Sequence, residues 1–231
     1  MRTIIANSPN EAAEIAADLF IESVNAKPSA PIGLATGGTM DGIYSRLSDL
    51  GFTPKSKHAF ALDEYAGVGP SSPNSFETEL TIKFTEQLGW AGTLHVPGSG
   101  QYSGDRGLEL FEQRLRELGP IGVQLLGLGS NGHIAFNEPG SDFDSTTRLV
   151  ELHPATRSDN SRFFKSPELV PTHAYTQGLA TIARASTLIL VVLGQRKHAA
   201  LSAAFSNPGP EAPLAAFLDH PGLNIVTDLA V

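Results

Sequence analysis

Residues Leu125–Gly140 read LLGLGSNGHIAFNEPG. Apolar and small residues run into Gly129-Ser130-Asn131-Gly132, then His133, then Asn137-Glu138-Pro139-Gly140. The pattern is that of a buried strand that stops, turns sharply and presents an imidazole and a carboxylate a few residues apart. In open α/β sheets, ligands bind beyond the carboxyl ends of the strands. Chemistry is therefore expected here.

Outward from this stretch the same rhythm repeats. Upstream, Ile121–Leu126 is the strand that feeds it, preceded by an amphipathic helix over Asp105–Leu118 that ends at Gly119-Pro120. Further back lie strands at Thr93–Val96, His58–Leu62, Pro31–Ala35 and Thr3–Ala6. Helices are expected over Phe76–Leu88, over Met40–Leu50 and from Ser8 to about Asn25. Ser8-Pro9-Asn10-Glu11 has the form of a capping box with proline in the first turn. Downstream, Gly178–Ala185 and Gln195–Phe205 read as helices, Ala212–Leu218 as a short one, and Asn224–Val226 as a last strand. Leu188–Leu193 is the continuous apolar run of a central parallel strand. Strands alternating with helices predict an α/β fold: an open, mostly parallel sheet with helices on both faces, Rossmann-like, in one domain over 1–231. Residues 141–177 break the rhythm. They offer one strand, Arg148–Leu152, and are otherwise polar and irregular, which points to a lid insertion docked through Phe163, Phe164 and Tyr175.

Composition narrows the function. With 41% hydrophobic residues the chain can build a core, and with no cysteine it has no disulfides or thiolate metal sites. The net charge of -8, from 16 basic and 24 acidic residues, argues against DNA or RNA as a partner. The N-terminal residues lack the pattern of a signal peptide, and the longest apolar run is far short of the ~20 residues that span a bilayer. A cytoplasmic protein with no membrane partner is expected. The sequence favours neither a monomer nor a homo-oligomer.

Polar residues collect after the strand ends. Thr36-Gly37-Gly38-Thr39 follow the second strand, Asp63-Glu64 the third, Asn131, His133 and Glu138 the fifth, and Gly194-Gln195-Arg196-Lys197 the last long one. In a parallel sheet these emerge on one edge. The glycine turn has the form of an anion nest at a helix start, although an ordinary strand-to-helix turn fits it as well. Asp63 fits either catalysis or a loop cap. Taken together the set suits a sugar phosphate. Arg162 and Lys197 would neutralise the phosphate, and Gly37, Gly38 and Thr39 would donate to it. Asp63 would abstract a proton beside a carbonyl, and His133 would carry a proton between ring and anomeric oxygens, oriented by Glu138. A zinc site is disfavoured because no third ligand is near His133 and Glu138. Gly129-Ser130-Asn131-Gly132 is not a G-x-S-x-G elbow.

With these residues in view, the chain resembles the glucosamine-6-phosphate deaminase (isomerase) family from about Ile32 to Phe205. Gly33–Thr39, Leu62–Gly67, Gly127–Gly140, Asn160–Phe164 and Leu193–Lys197 carry the likeness, and Gly132-His133-Ile134-Ala135-Phe136-Asn137-Glu138-Pro139 is its most specific part. The resemblance implies conversion of glucosamine 6-phosphate and water to fructose 6-phosphate and ammonia, with no metal or organic cofactor. It implies Asp63 as the base at C2, and His133 with Glu138 in ring opening. It puts Thr36, Gly37, Gly38, Thr39, Arg162 and Lys197 around the substrate and its phosphate. Asn131 stands where many members have Asp, so it orients by hydrogen bonding and cannot titrate; shorter bacterial members share it. Gln177 replaces a common methionine. A 6-phosphogluconolactonase-like hydrolase would lack the Asn-Glu-Pro that supplies Glu138, and a non-catalytic sugar-phosphate sensor would be free to lose Asp63, His133 and Glu138. A deaminase-like isomerase acting on a related sugar phosphate is the third alternative.

Long allosteric members carry a basic cluster after the central motif. Here Ser141 and Arg148 match it, but its second basic position is Val150. The expected outcome is little or no activation by N-acetylglucosamine 6-phosphate: rate against substrate concentration stays hyperbolic with or without it, and a sigmoidal curve that it straightens would contradict this reading.

Overall fold

Apolar strands buried on both faces must be covered by helices on both sides, and the chain meets that demand with two sheets of unequal size. The computed structural model describes residues 1–229. The strands are β1 (Arg2–Ile5), β2 (Ile32–Leu34), β3 (His58–Ala61), β4 (Asp63–Tyr65), β5 (Thr93–His95), β6 (Val123–Gly127), β7 (Arg148–Glu151), β8 (His173–Thr176), β9 (Thr187–Val192) and β10 (Leu223–Thr227). The helices are α1 (Pro9–Ala26), α2 (Gly38–Asp49), α3 (Phe76–Leu80), α4 (Gly104–Leu118), α5 (Pro154–Asn160), α6 (Leu179–Ala183) and α7 (His198–Ser206).

The larger sheet has seven strands in the order β1-β10-β9-β6-β2-β3-β5, all paired in parallel. From β2 the chain builds to one side through β3 and β5, then returns with β6 to the other side of β2. The strand order therefore reverses between β2 and β6, which is where open α/β sheets leave a crevice. Leu188 to Val192 of β9 are wholly buried between β6 and β10, as their apolar run predicts. α1 covers β6, β9 and β10 with a face rich in alanine, and Phe111 of α4 meets Phe60 of β3 edge to face at 5.4 Å.

Local signals are met with adjustments: the helix expected over Gln195–Phe205 opens with a 3-10 turn, Gln195–Lys197, before α7, and the short one over Ala212–Leu218 is a 3-10 helix, Pro213–Phe217. Ser8 Oγ accepts from Glu11 N at 3.1 Å, but the Glu11 carboxylate accepts from the Asn7 amide at 2.6 Å rather than returning to Ser8. The helix expected over Phe76–Leu88 is α3 followed by a wider π-helical segment, Thr81–Glu86, whose buried Phe84 packs edge to face on Trp90 at 5.3 Å.

Residues 141–177 are more ordered than their composition suggests. β7 and β8 pair antiparallel, and β8 pairs antiparallel with β4, making a three-stranded sheet, β4-β8-β7. A small second core of Tyr65, Phe136, Leu152 and Ala174 lies beneath it, with Phe76 and Phe164 packed against it. Phe164 docks as expected, on Tyr65 at 5.4 Å; Phe163 does not, being 51% exposed.

One buried carboxylate ties the segment to the main body. Glu112 of α4 accepts from Thr147 N and Oγ1, from Thr181 Oγ1 at 2.5 Å and from Arg184 at 2.6 Å. Burial alone would raise its pKa, but these bonds outweigh burial and hold it below the ordinary 4.5. Its stabilisation is thus present above the unfolded-state value and lost as pH falls through the lowered folded one. Glu112→Gln should cost about 1–3 kcal/mol in urea unfolding at pH 7, and the gap to the parent should narrow below pH 4.5. Equal stability at pH 7 would remove Glu112 from this role.

Candidate functional site

A cleft of about 480 Å³ opens at the carboxyl ends of β2, β3, β6 and β9. Of the ten residues singled out in the sequence, Thr36, Gly37, Gly38, Thr39, Asp63, His133, Arg162 and Lys197 line it. Asn131 and Glu138 do not reach the cleft; they stand behind His133 and fix its ring.

The turn after β6 is shaped around that ring. A Cβ on Gly129 would come within 2.2 Å of the His133 imidazole, and Gly132 has φ 93°, so glycine is required at both. Asn131 Oδ1 accepts from the His133 amide at 3.1 Å and lies 2.7 Å from His133 Nδ1. At its other end, Asn131 Nδ2 donates to Glu138 Oε2 at 2.7 Å. A carboxylate only accepts, so the amide nitrogen must face Glu138 and the amide oxygen must face His133. An amide oxygen also only accepts, so Nδ1 carries the proton, and in the neutral ring Nε2 is left with a lone pair.

Glu138 therefore does not hold the imidazole directly, as the sequence reading had it. Its Oε2 is 3.8 Å from Nδ1, and Asn131 stands between them as the bridge. Burial lowers the His133 pKa first; Glu138 opposes this and Lys197 adds to it. Ala135 follows with φ 52°, held by paired Ile134 and Asn137 backbones, and Asn137 Nδ2 donates to Ile134 O and Gln177 O.

Asp63 is the first residue of β4, 8% exposed and turned into the cleft. Burial, then the charges of Glu64 and Glu79, raise its pKa well above the ordinary 3.8. The neighbouring Glu64 has a different job. It accepts from Ser75 Oγ and from the backbone of Tyr65, Phe76 and Glu77, and so anchors the start of α3. The carboxylate pair read after the third strand is thus one cleft residue and one structural anchor.

The cleft also carries cationic groups. Lys197 is half-buried, and burial followed by the charges of Arg162 and Arg196 lowers its pKa. Bringing an anion there relieves a repulsion already present. Arg162 is exposed, on the short turn after α5, with its guanidinium 4.7 Å from the Phe163 ring. The glycine turn starts α2, with Gly37 at φ 96° and the Gly38 and Thr39 amides among the free N–H groups of the helix start.

Sequence reasoning missed Asp41, Glu79 and Lys83, which also line the cleft. They come from helices rather than strand ends; the signal available was the i,i+4 Glu79–Lys83 pair. Gln177 is fully buried beside the site, its Nε2 donating to Ala61 O at 2.9 Å. Among the described residues, no three His, Asp or Glu side chains gather to hold a metal, and no helix is long and apolar enough to cross a membrane.

A family model described as glucosamine-6-phosphate isomerases/6-phosphogluconolactonase matches residues 7–225. A glucosamine-6-phosphate deaminase of Corynebacterium urealyticum is 40% identical, over 90% of this chain and 82% of its own. That of Lysinibacillus sphaericus is 35% identical, over 98% of each. A solved monomeric glucosamine-6-phosphate deaminase superposes with a TM-score of 0.93 at 32% identity, covering 98% of this chain and 97% of that one. A 6-phosphogluconolactonase from Trypanosoma cruzi, 17% identical with a TM-score of 0.73, shares the fold.

The clamp on His133 yields a direct expectation. Nitrogen-15 spectra of histidine-labelled protein at pH 7 should show His133 neutral with the proton on Nδ1, and Asn131→Ala should mix the two tautomers. A proton on Nε2 in the parent would contradict the geometry.

Proposed function

Because the chain belongs to the glucosamine-6-phosphate isomerase/6-phosphogluconolactonase family, we propose that its cleft converts glucosamine 6-phosphate and water to fructose 6-phosphate and ammonia. One observation carries this reading: a buried, proton-avid Asp63 and a clamped His133 share a cleft with the cations Arg162 and Lys197. The phosphate sits with Arg162, Lys197 and the Thr36–Thr39 turn. His133 Nε2 takes the proton of the anomeric hydroxyl and returns it to the ring oxygen as the ring opens. The aldehyde at C1 acidifies the C2–H bond. Asp63 removes that proton and delivers it to C1 while one proton of the C2 ammonium passes to the C1 oxygen, leaving a hydroxyl at C1 and an iminium at C2. Water adds there, and ammonia departs as the ketone forms.

Each group is suited to its step. A base works best when its pKa approaches the working pH, and burial moves Asp63 that way. A histidine kept neutral offers a lone pair at the ring rather than a competing donor. Residues 141–177 serve as the lid, with exposed Arg162 closing on the phosphate. Arg148 already donates to Asn137 Oδ1 at 2.9 Å, which supports the expected lack of activation through that residue. The cysteine-free composition suits a reducing compartment, and the cytoplasm is the proposed site of action. The lactonase reading is disfavoured by the Asn131–Glu138 clamp, which depends on the Asn-Glu-Pro continuation of the motif.

Purified protein should release ammonia from glucosamine 6-phosphate and leave 6-phosphogluconolactone unhydrolysed in a parallel assay. No ammonia above background sinks this reading. Asp63→Asn should abolish exchange of the C2 proton with solvent while substrate binding stays within a few-fold. In the parent, kcat/KM should fall on the acid side as pH drops through the raised Asp63 value, at higher pH than an ordinary aspartate would dictate. A profile flat down to pH 4 would remove Asp63 from the base role.

A further inference from the structure

The short helix α5 meets the His133 turn along one face, a contact that the steps above do not use. His153 caps this helix, and Thr156 and Asp159 follow at intervals of three residues, which puts all three on one side of it. The His153 amide donates to Glu138 Oε1 at 3.4 Å. Thr156 is buried and places Oγ1 3.3 Å from His133 Nδ1. Ser130 Oγ donates to the carboxylate of Asp159. Each of the three touches a different residue of the motif, so α5 is seated along the turn from Ser130 to Glu138.

We propose that Thr156 is a positioning residue for His133: its hydroxyl oxygen accepts a share of the Nδ1 proton, and the Ser130–Asp159 bond holds α5 in place for it to do so. The use of this contact in ring opening rests on the functional reading above. Asn131 Oδ1, at 2.7 Å, is the nearer acceptor of that proton. A hydroxyl oxygen has two lone pairs, so Thr156 can serve as the second. The two acceptors come from different elements, Asn131 from the turn itself and Thr156 from the segment inserted after it. When Nε2 takes a proton the ring becomes an imidazolium, and hydrogen bonds from a charged donor are roughly twice as strong as neutral ones. Thr156 therefore favours the protonated ring over the neutral one. The charges that act on this ring come from three places: Glu138 of its own turn, Asp159 of α5 and Lys197 after β9. Replacing the Thr156 hydroxyl alters none of them.

The test is the titration of His133 in the substrate-free protein, followed in nitrogen-15 spectra and assigned by its loss in His133→Gln. Thr156→Val keeps the shape and removes the acceptor. It should lower the midpoint by about half a pH unit, roughly a threefold loss of proton affinity. Thr156→Ser keeps the acceptor and should titrate as the parent does. Ser130→Ala releases α5 from the turn and should also lower the midpoint, but by less when Thr156→Val is already present. A midpoint that is unmoved or raised in Thr156→Val overturns the proposal, as does a serine variant that behaves like the valine one. So do fully additive effects of Ser130→Ala and Thr156→Val. Where the protein unfolds before the ring titrates, the Nδ1 proton resonance at pH 7 decides. An upfield move in Thr156→Val that Thr156→Ser reverses supports the role, and one unchanged resonance in all three proteins overturns it. Ammonia release by the parent is scored separately. Its absence would overturn the functional reading, while the spectra, taken without substrate, would still decide the role of Thr156.

Discussion

Parallel pairing of β6 with both β2 and β9 is the constraint from which the cleft follows. Parallel strands in one sheet all end on the same edge, so whatever follows β2, β3, β6 and β9 is brought together regardless of its distance in sequence. The apolar interior of β9 and β6 forces helices onto both faces and leaves that edge as the place where polar groups gather. The reversal of strand order between β2 and β6 then parts the helices on either side of the crevice.

Two groups of the cleft are held against their charged forms. Burial and the charges of Glu64 and Glu79 act on Asp63, and burial and the charges of Arg162 and Arg196 act on Lys197. Asp63 and Lys197 are therefore each disfavoured in the charged form until a ligand of opposite sign arrives. Folding supplies this arrangement: Glu112, Glu64 and the small second core hold the segment bearing Arg162 and the strand bearing Asp63 in register with the main sheet. Such strain at a site, held in place by a well-paired scaffold, is a form of preorganisation.

Most of the large sheet was legible because its strands are apolar runs set between glycine turns and amphipathic helices. β4 and β8 were not. β4 is Asp-Glu-Tyr, buried through pairing and capping rather than through apolar side chains, and β8 is His-Ala-Tyr-Thr, whose inward residues are only alanine and threonine. Neither has a hydrophobic alternation to detect. At the site, strand-end position picked out residues that do line the cleft, and the family resemblance supplied their roles. It did not supply the order of the clamp. That Asn131 rather than Glu138 touches the imidazole depends on side-chain rotamers across a turn, and spacing along the chain does not encode them. Asp41, Glu79 and Lys83 escaped notice because on a helix such a trio looks like an ordinary solvated face.

The amide of Asn131 has a consequence for proton traffic. A carboxylate in its place would exchange protons with the ring and blur which nitrogen is loaded. An amide has no proton to give from its oxygen and takes none up in the range where proteins fold. Nδ1 is therefore closed to exchange through its nearest neighbour, and Nε2 is the ring nitrogen that forms no hydrogen bond among the described residues. On the proposed mechanism His133 is a carrier with a single port: a proton enters and leaves through the same atom, so the two oxygens must come to that atom in turn.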